Sequence, residues 1–277
     1  MLIRILPAFL CFFFSASFFC GAAESQNNAH CPSLADIKKR GKLLVGTYTD
    51  DPYFSYKNSS TQQLEGFDID MAHAIAQELL SDPNKIEFVS VSPQNRMTYL
   101  QTGNVDLVLA ELSITKEREK QIDFSDVYYI AGQSILVKAN GPFDTLYDLK
   151  GKTIGILQGT TNEENVKEVL PNSKYVFFKT LNDGFNALRE GKIQGLSIDD
   201  VLLLGVKANA PSFFQDFRFI GGEYSLESYG IAVKKGCGEL LQAINQALKN
   251  IKQDGRWQQI YDKNIGRVSQ VSAHPPM

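Results

Sequence analysis

The segment from 105 to 125, VDLVLAELSITKEREKQIDFS, changes abruptly from apolar to polar residues. The apolar run at 105–110 predicts a buried strand, and Glu111, Ser113 and Arg118 follow it directly. A planar guanidinium can hold a carboxylate through two parallel hydrogen bonds, and a serine hydroxyl can donate a further one. These residue types favour a carboxylate-binding site, although a surface ion pair with a neighbouring glutamate would use the arginine equally well.

The segment QGTTNEEN follows a second predicted strand, at 153–157. Thr160 and Thr161 stand there at the start of a helix, where backbone N–H groups and the helix dipole can bind an anion. A plain N-cap by either hydroxyl is equally compatible with the pattern. A nucleotide P-loop is excluded, because the lysine and the glycine spacing of that motif are absent.

Asp199 follows a third predicted strand, at 193–198. Its carboxylate can accept hydrogen bonds from an ammonium group, or it can simply cap the next helix. Tyr48 and Asp51 follow the strand at 43–47. A carboxylate-binding group and an ammonium-binding group on opposite halves of the chain together predict a site for an α-amino acid.

The elements that carry these residues follow one order twice. Strand 43–47 is followed by the helical pattern FDIDMAHAIAQELL, a strand at 86–91, a helix at 95–102 and the strand at 105–110. The order is repeated from KTIGILQG onward, and SYGIAVKKG predicts the last strand before a final amphipathic helix. Alternating strands and helices predict parallel sheets. Two such units predict two lobes, with a ligand cleft between the carboxyl ends of their strands.

The bulk composition and the N-terminus indicate a secreted globular protein. The 277 residues are 43% hydrophobic and 21% charged, and the formal net charge of −3 without a basic stripe gives no support for nucleic-acid binding. Residues 1–23 carry Arg4, an apolar core and small residues up to Ala23, which predicts a signal peptide cleaved after Ala23. An uncleaved membrane anchor is the alternative, whereas bulky Phe19 disfavours a lipoprotein cut before Cys20.

The cysteines and histidines give limited information. Cys31 and Cys237 remain after removal of the signal peptide. In an oxidising compartment they can form one disulfide or stay as two free thiols, and only their Cα separation decides between these alternatives. His30, His73 and His274 lack the spacing of metal ligands, so we predict no metal site and no cofactor.

Four segments together resemble the polar-amino-acid periplasmic binding proteins of ABC importers, solute-binding protein family 3. In chain order they are GFDIDMAHAIAQEL, VDLVLAELSITKEREKQIDFSDVYY, LKGKTIGILQGTT and IKQDGRWQQIYDKNIG. The resemblance implies an α/β fold of two lobes, each a mostly parallel sheet flanked by helices. Two hinge strands would join the lobes and let them close around a ligand. It places lobe 1 at 33–130 and 223–266, lobe 2 at 131–222, and a flexible tail at 267–277.

The resemblance also implies roles for single residues. Arg118, Ser113 and the Thr161 backbone N–H would hold the ligand α-carboxylate, while Asp199 and the Ala110 carbonyl would take the α-ammonium. The residues implied to face the ligand side chain are Tyr48, Asp51, Arg96 and Glu111. Because position 51 usually carries an aromatic residue in this family, the stacking ring would come from Tyr53 or Phe54 instead.

Asp51 and Glu111 depart from the family pattern and leave the ligand open. An unpaired buried carboxylate is costly, so Glu111 should either contact the ligand or neutralise Arg96. If both acids face the ligand, a cationic side chain such as lysine, arginine or ornithine is expected, and we favour this hypothesis. If Glu111 pairs with Arg96, a neutral polar ligand fits better. Cystine or cysteine, and glutamine or glutamate, remain the alternatives.

The resemblance implies a monomeric periplasmic protein that delivers an amino acid to an ABC permease at the inner membrane and is not an enzyme. One alternative is an enzyme similar to cyclohexadienyl dehydratase, with Glu111 as general acid. Asp199 argues against it, because it suits an ammonium group and prephenate has none. A surface adhesin is a third possibility that no residue in the sequence tests.

Overall fold

A computed structural model describes residues 31–201, 213–266 and 275–276 of the chain. The predicted signal peptide at 1–23 and most of the predicted tail at 267–277 therefore lie outside the described residues. The strands are β1 (Leu43–Thr47), β2 (Asp50–Asp51), β3 (Ser55–Lys57), β4 (Leu64–Glu65), β5 (Ile86–Ser90), β6 (Leu107–Val108), β7 (Ile122–Lys138), β8 (Thr153–Leu157), β9 (Lys174–Phe178), β10 (Gly195–Asp199) and β11 (Phe217–Lys234).

The described helices lie between these strands and after the last one. They are α1 (Leu34–Arg40), α2 (Phe67–Leu80), α3 (Arg96–Gln101), α4 (Lys116–Glu119), α5 (Asn162–Val169), α6 (Leu181–Arg189), α7 (Phe213–Asp216), α8 (Gly238–Gln253) and α9 (Arg256–Tyr261), with a 3₁₀ turn at Leu146–Leu149 and a π turn at Asp262–Gly266. Within the described ranges, every helix is too short or too polar to span a bilayer.

Eight strands form one sheet in the order β5-β1-β6-β11-β7-β10-β8-β9. On one side β1 pairs in parallel with β5 and β6, and on the other β8 pairs in parallel with β9 and β10. The antiparallel pair β7 and β11 lies between these two parallel groups. The predicted fold class, two mostly parallel α/β units joined by two strands, is confirmed.

The two central strands are unusually long, and each passes from one parallel group to the other. β7 has 17 residues and β11 has 18. Their pairing register shifts between Ile220 and Ser225, where Gly221 and Gly222 adopt φ values of 80° and 63°. Such left-handed backbone suits glycine, which has no Cβ to clash. The predicted lobe boundaries at 130/131 and 222/223 fall inside these strands.

Separate hydrophobic cores pack on the two parallel groups, and we call the surrounding parts the first and second lobes. The first lobe contains Leu43 of β1, Ile75 of α2 and Leu240 of α8, all fully or almost fully buried. The second lobe contains Ile154 of β8 and Leu188 of α6. Because each lobe buries its own apolar surface, the crossing strands can bend without opening either core.

The structure joins the sulfur atoms of Cys31 and Cys237, whose Cα atoms lie 5.4 Å apart. Cys237 is the N-cap of α8, so the bond ties the start of the described chain to the last long helix of the first lobe. The two residues are separated by 206 positions in the sequence. A cross-link over so long a loop removes much of the conformational entropy of the unfolded chain.

Replacing both cysteines, Cys31→Ser with Cys237→Ser, is expected to lower the free energy of unfolding by roughly 2–4 kcal/mol. For a chain of this size that corresponds to a fall in Tm of roughly 4–16 °C, measured by differential scanning calorimetry. Ligand affinity should not change, because neither residue lines the interlobe cavity described below. A Tm equal to that of the unmodified protein would show that the disulfide does not constrain the unfolded state.

Candidate functional site

A cavity of about 410 Å³ lies between the lobes, at the carboxyl ends of β1, β6, β8 and β10. The predicted site residues that line it are Tyr48, Asp51, Arg96, Glu111, Ser113, Thr160, Thr161 and Asp199. Parallel strands bring the residues that follow them to one edge of the sheet, so segments far apart in the sequence meet here. Three predicted site residues, Arg118, Ala110 and Phe54, are not among the residues that line it.

The lobes touch each other along one rim of this cavity. The Gln94 side chain of the first lobe donates a hydrogen bond to the Gln158 carbonyl of the second, at 2.9 Å. Gly159 follows with φ of 83°, and a Cβ added there would lie 2.5 Å from the Pro93 carbonyl oxygen. This contact between backbones requires glycine, and it describes a closed arrangement of the lobes.

Arg118 reaches the rim from α4, whose first turn is capped by the Thr115 side chain. Its Nη1 donates to the Ser113 carbonyl at 2.8 Å, and its Nη2 donates to the Gly159 carbonyl at 3.1 Å. Among the described residues no carboxylate pairs with it. Burial, with the nearby Arg96 as a second cause, lowers the pKa of Arg118 to about 10, so it stays cationic at neutral pH. Carbonyl groups do not neutralise the positive charge of the guanidinium, so it can still attract an anionic group of a ligand.

Arg96, on the first turn of α3, is buried in the cavity wall. Its Nη1 donates to the Tyr48 hydroxyl at 2.5 Å, to the Ala110 carbonyl at 2.6 Å and to the Glu111 carbonyl at 3.3 Å. No ion pair joins the Arg96 and Glu111 side chains, so Glu111 does not neutralise Arg96 by direct contact. The Ala110 carbonyl, predicted as an acceptor for the ligand ammonium, already accepts this hydrogen bond and keeps one lone pair.

Glu111 instead lies beside Asp51, with the two carboxyl groups close enough to interact directly. Their residues are only 7% and 5% exposed. Burial raises the pKa of both carboxyl groups well above the usual range, and the charge of Asp51 raises the pKa of Glu111 further. Glu111 also has φ of 51°, a left-handed conformation that is uncommon outside glycine. The fold therefore holds this side chain against the cavity at a cost in backbone strain.

Asp199 faces the cavity from the end of β10 and is oriented by three donors. Its Oδ1 accepts from Gln133 Nε2 at 2.9 Å and from Asn162 Nδ2 at 3.1 Å, and its Oδ2 accepts from the Tyr229 hydroxyl at 2.5 Å. Burial raises its pKa, while these hydrogen bonds act in the opposite direction. The neighbouring Asp200 instead accepts the Gly132 N–H at 3.0 Å. Asp199 is thus a partly buried acceptor whose orientation is fixed by hydrogen bonds.

Ser113 and Thr161 lie across the cleft from each other, with their hydroxyl oxygens 3.5 Å apart. The Thr161 hydroxyl donates to Glu227 Oε2 at 2.7 Å and accepts from Gln133 Nε2 at 3.0 Å. Thr160 turns back, and its hydroxyl donates to the Leu157 carbonyl at 2.8 Å. Both threonine hydroxyls are used within the protein, so the backbone N–H of Thr161 is the donor that this turn can still offer to a ligand.

Phe54 does not line the cavity, which corrects the expectation that it supplies the stacking ring. Its side chain is fully buried and packs edge-on against Phe67, Tyr129 and Tyr229, with ring centroids 5.6, 5.1 and 6.3 Å away. Rings at these separations and angles stabilise a core beyond their area alone. The ring that lines the cavity from the second lobe is Phe185 of α6.

Several residues that build the site were not predicted from the sequence. Gln133, Glu227 and Asn162 are almost fully buried and form the hydrogen-bonded network under Asp199 and Thr161. The available signal was Gln133 itself, a polar residue inside the apolar run AGQSILV. A polar side chain in such a run needs buried partners, and the partners lie on other elements that spacing alone does not identify.

Comparisons with known proteins agree with this geometry. The sequence profile of the bacterial extracellular solute-binding proteins, family 3, matches residues 43–267. The chain is similar to the ABC transporter glutamine-binding protein GlnH of Bacillus subtilis, with 38% identity over 251 residues that cover 89% of this chain and 90% of that protein.

Solved structures show the same likeness. The chain is 40% identical to an ancestral arginine-binding protein bound to glutamine, with a TM-score of 0.74 and coverage of 82% of this chain and 99% of the other. It is 31% identical to a solute receptor for L-cysteine of Neisseria gonorrhoeae, with a TM-score of 0.78 and coverage of 85% and 94%.

Proposed function

The chain belongs to the bacterial extracellular solute-binding proteins of family 3 and is an amino-acid-binding protein of the ABC-transporter type; from this premise we propose that its ligand is L-glutamine. The observation that carries the proposal is the pair of opposite fixed charges at the cavity. Arg118 lacks a carboxylate partner among the described residues, and Asp199 faces the cavity as a partly buried acceptor. An α-amino acid supplies both missing partners at once.

The residue types in the cavity suit more than one ligand side chain, and the relatives guide the choice between them. The chain is similar to a glutamine-binding protein and to an arginine-binding protein whose structure holds glutamine. The preference for a cationic ligand drawn from the sequence is therefore not confirmed. A cationic side chain remains a second candidate because two carboxyl groups, Asp51 and Glu111, line the cavity.

We place the protein outside the cytoplasm, as a monomer that passes glutamine to a membrane permease. The family is extracellular by description, and the N-terminal sequence has the layout of a signal peptide. Closure of the two lobes would present one docking surface only when ligand is bound. We assign no reaction to the site, since Arg118 and Asp199 together serve to hold a zwitterion.

A thermal-shift screen tests this function. The protein is unfolded in denaturant without reductant, refolded to remove any carried ligand, and heated with each standard L-amino acid, ornithine, cystine or prephenate. A ligand at 100 times its Kd adds about 2.7 kcal/mol of stability, and glutamine should give the largest rise in Tm.

Two truncated ligands test the assigned contacts. Glutaramic acid lacks the ammonium group that Asp199 would bind, and 4-aminobutanamide lacks the carboxylate that Arg118 would bind. Neither should raise the Tm at concentrations where glutamine does. A rise with prephenate and none with any amino acid would overturn the proposal in favour of the dehydratase alternative.

A further inference from the structure

Asp51 and Glu111 form an acid pair in the cavity wall that the binding of an α-amino group and an α-carboxylate does not use. Asp51 lies on β2, and Glu111 follows β6 directly. Asp51 Oδ1 and Glu111 Oε1 are buried and receive no N–H or O–H hydrogen bond from any described residue. A buried carboxyl oxygen without a donor is costly, and a proton held between the two groups supplies the missing donor.

The surroundings of the acid pair hold more negative than positive groups. Asp50 lies next to it on β2, Asp68 on α2 is fully buried behind Glu111, and Asp199 faces it from the second lobe. Arg96 is the cation that acts on Glu111, and its N–H groups are directed at Tyr48 and backbone carbonyls. The tyrosine hydroxyl groups near these acids are those of Tyr48, Tyr128, Tyr129 and Tyr229. Two adjacent carboxylates in such a place do not both ionise.

Charge balance in the closed cavity then links the proton to the ligand. If Arg118 takes the α-carboxylate and Asp199 takes the α-ammonium, Arg96 and the acid pair remain as the buried charges of the cavity lining. Asp50 and Lys179 also line the cavity, but both are exposed and their charges are opposite. With one proton the pair carries a single negative charge, which balances Arg96, and a neutral side chain fits. A cationic ligand side chain adds one positive charge, and this charge is balanced only if the acid pair loses its proton and carries two negative charges. Charges buried without balance are strongly unfavourable.

Hydrogen-bonding capacity is compatible with the same division. The shared O–H is directed from one carboxyl group to the other, so the protonated pair offers acceptor lone pairs, which suit the two N–H donors of a carboxamide. Ammonium and guanidinium groups have donors only, so they match the pair when both groups are acceptors. We propose that Asp51 and Glu111 share one proton that sets ligand specificity: the protonated pair binds a neutral carboxamide side chain, and a cationic side chain binds by displacing the proton.

This inference rests on the proposed amino-acid-binding function and is tested by isothermal titration calorimetry with glutamine and with arginine. Titrations are run at pH 6, 7, 8 and 9, each in two buffers of different ionisation enthalpy, which gives the number of protons released. Arginine should release about one proton per molecule bound, and its Kd should tighten by up to tenfold per pH unit. Glutamine should release none over the same range.

Two variants test the assignment to these residues. Glu111→Gln leaves one carboxylate and no shared proton, so proton release by arginine should disappear and the ratio of the arginine Kd to the glutamine Kd should rise at least tenfold. Asp51→Asn replaces the other carboxyl group of the pair by an amide, and it should abolish the same proton release. Glu190→Gln, at an exposed glutamate on the second lobe, is the matched control and should change neither quantity.

The outcomes separate the two proposals. Arginine binding without proton release, or no arginine binding up to pH 9 in a protein that binds glutamine, overturns the shared proton and leaves the proposed function intact. Proton release that persists in both pair variants also overturns it. Failure of every amino acid to bind overturns the proposed function itself.

Discussion

Replacement of Arg118 by alanine is expected to raise the Kd for the amino-acid ligand by a factor of at least 30 and up to several thousand. Removing one partner of a buried, hydrogen-bonded charge pair costs about 2–5 kcal/mol, which corresponds to this range. In the closed cavity the ligand carboxylate would be left without its cation, while the neighbouring Arg96 is directed at Tyr48 and backbone carbonyls. Calorimetric titration with the ligand identified by the thermal-shift screen measures the loss.

Two further variants separate charge from geometry at this position. Arg118→Lys keeps the positive charge but loses the planar fork, so the loss should lie between those of the wild type and the alanine variant. The guanidinium also spans the closed cleft through the Ser113 and Gly159 carbonyls, and a lysine cannot make both contacts in the same geometry. Arg189→Ala removes a half-exposed arginine that pairs with Asp216 outside the cavity, and it should leave the Kd unchanged. A Kd for Arg118→Ala within threefold of that control would remove Arg118 from the site.

The elements that bear the site were predictable because their patterns are local. The helical spacing of FDIDMAHAIAQELL and the apolar run of β1 appear in the structure at Phe67–Leu80 and Leu43–Thr47. The predicted strand at 105–110 is shorter, since β6 spans Leu107–Val108 and the Asp106 side chain accepts the Leu44 N–H at 2.8 Å. The Asp106 carboxylate thus accepts the hydrogen bond from the Leu44 N–H that a backbone carbonyl of a longer strand would otherwise accept.

The crossing strands show where local patterns fail. SYGIAVKKG predicts a strand of ordinary length, whereas β11 runs from Phe217 to Lys234. Its first part contains Gly221, Gly222 and Glu223, which are typical turn residues. They lie at the shift in register, and the strand continues past them because it pairs with β7 on both sides. Tertiary pairing of this kind overrides local preference.

The acid pair was the least predictable part of the site. Asp51 and Glu111 were each identified as departures from the family pattern, but the sequence left open contact with the ligand or with Arg96. The structure adds a third arrangement, contact between the two acids themselves. These side chains are 60 positions apart in the sequence. They meet because Asp51 lies just after β1, Glu111 lies just after β6, and β1 and β6 are neighbours in the sheet. No spacing rule encodes such a meeting.

Replacement of Gly159 by alanine is expected to weaken ligand binding on the order of tenfold to a hundredfold. In the closed cleft the Gly159 backbone lies directly against the first lobe, where no larger residue fits. A Cβ at this position would lie 2.5 Å from the Pro93 carbonyl oxygen and 3.1 Å from the Gln94 backbone nitrogen, which both belong to the first lobe. Backbone atoms cannot swing away as the end of a long side chain can. The lobes must therefore stay further apart, and the Gly159 carbonyl moves away from Arg118.

Backbone strain alone would also destabilise an alanine at Gly159, because φ there is 83° and left-handed conformations cost roughly 1–2 kcal/mol outside glycine. Gly151→Ala is the matched control, since Gly151 has φ of 73° but no atom within 4 Å of its added Cβ. Both variants should lose similar stability without ligand. Only Gly159→Ala should lose affinity and show a smaller ligand-induced fall in radius of gyration by solution X-ray scattering. Equal affinities in the two variants would contradict this prediction. They would mean that the ligand binds without the contact between Gly159 and the first lobe.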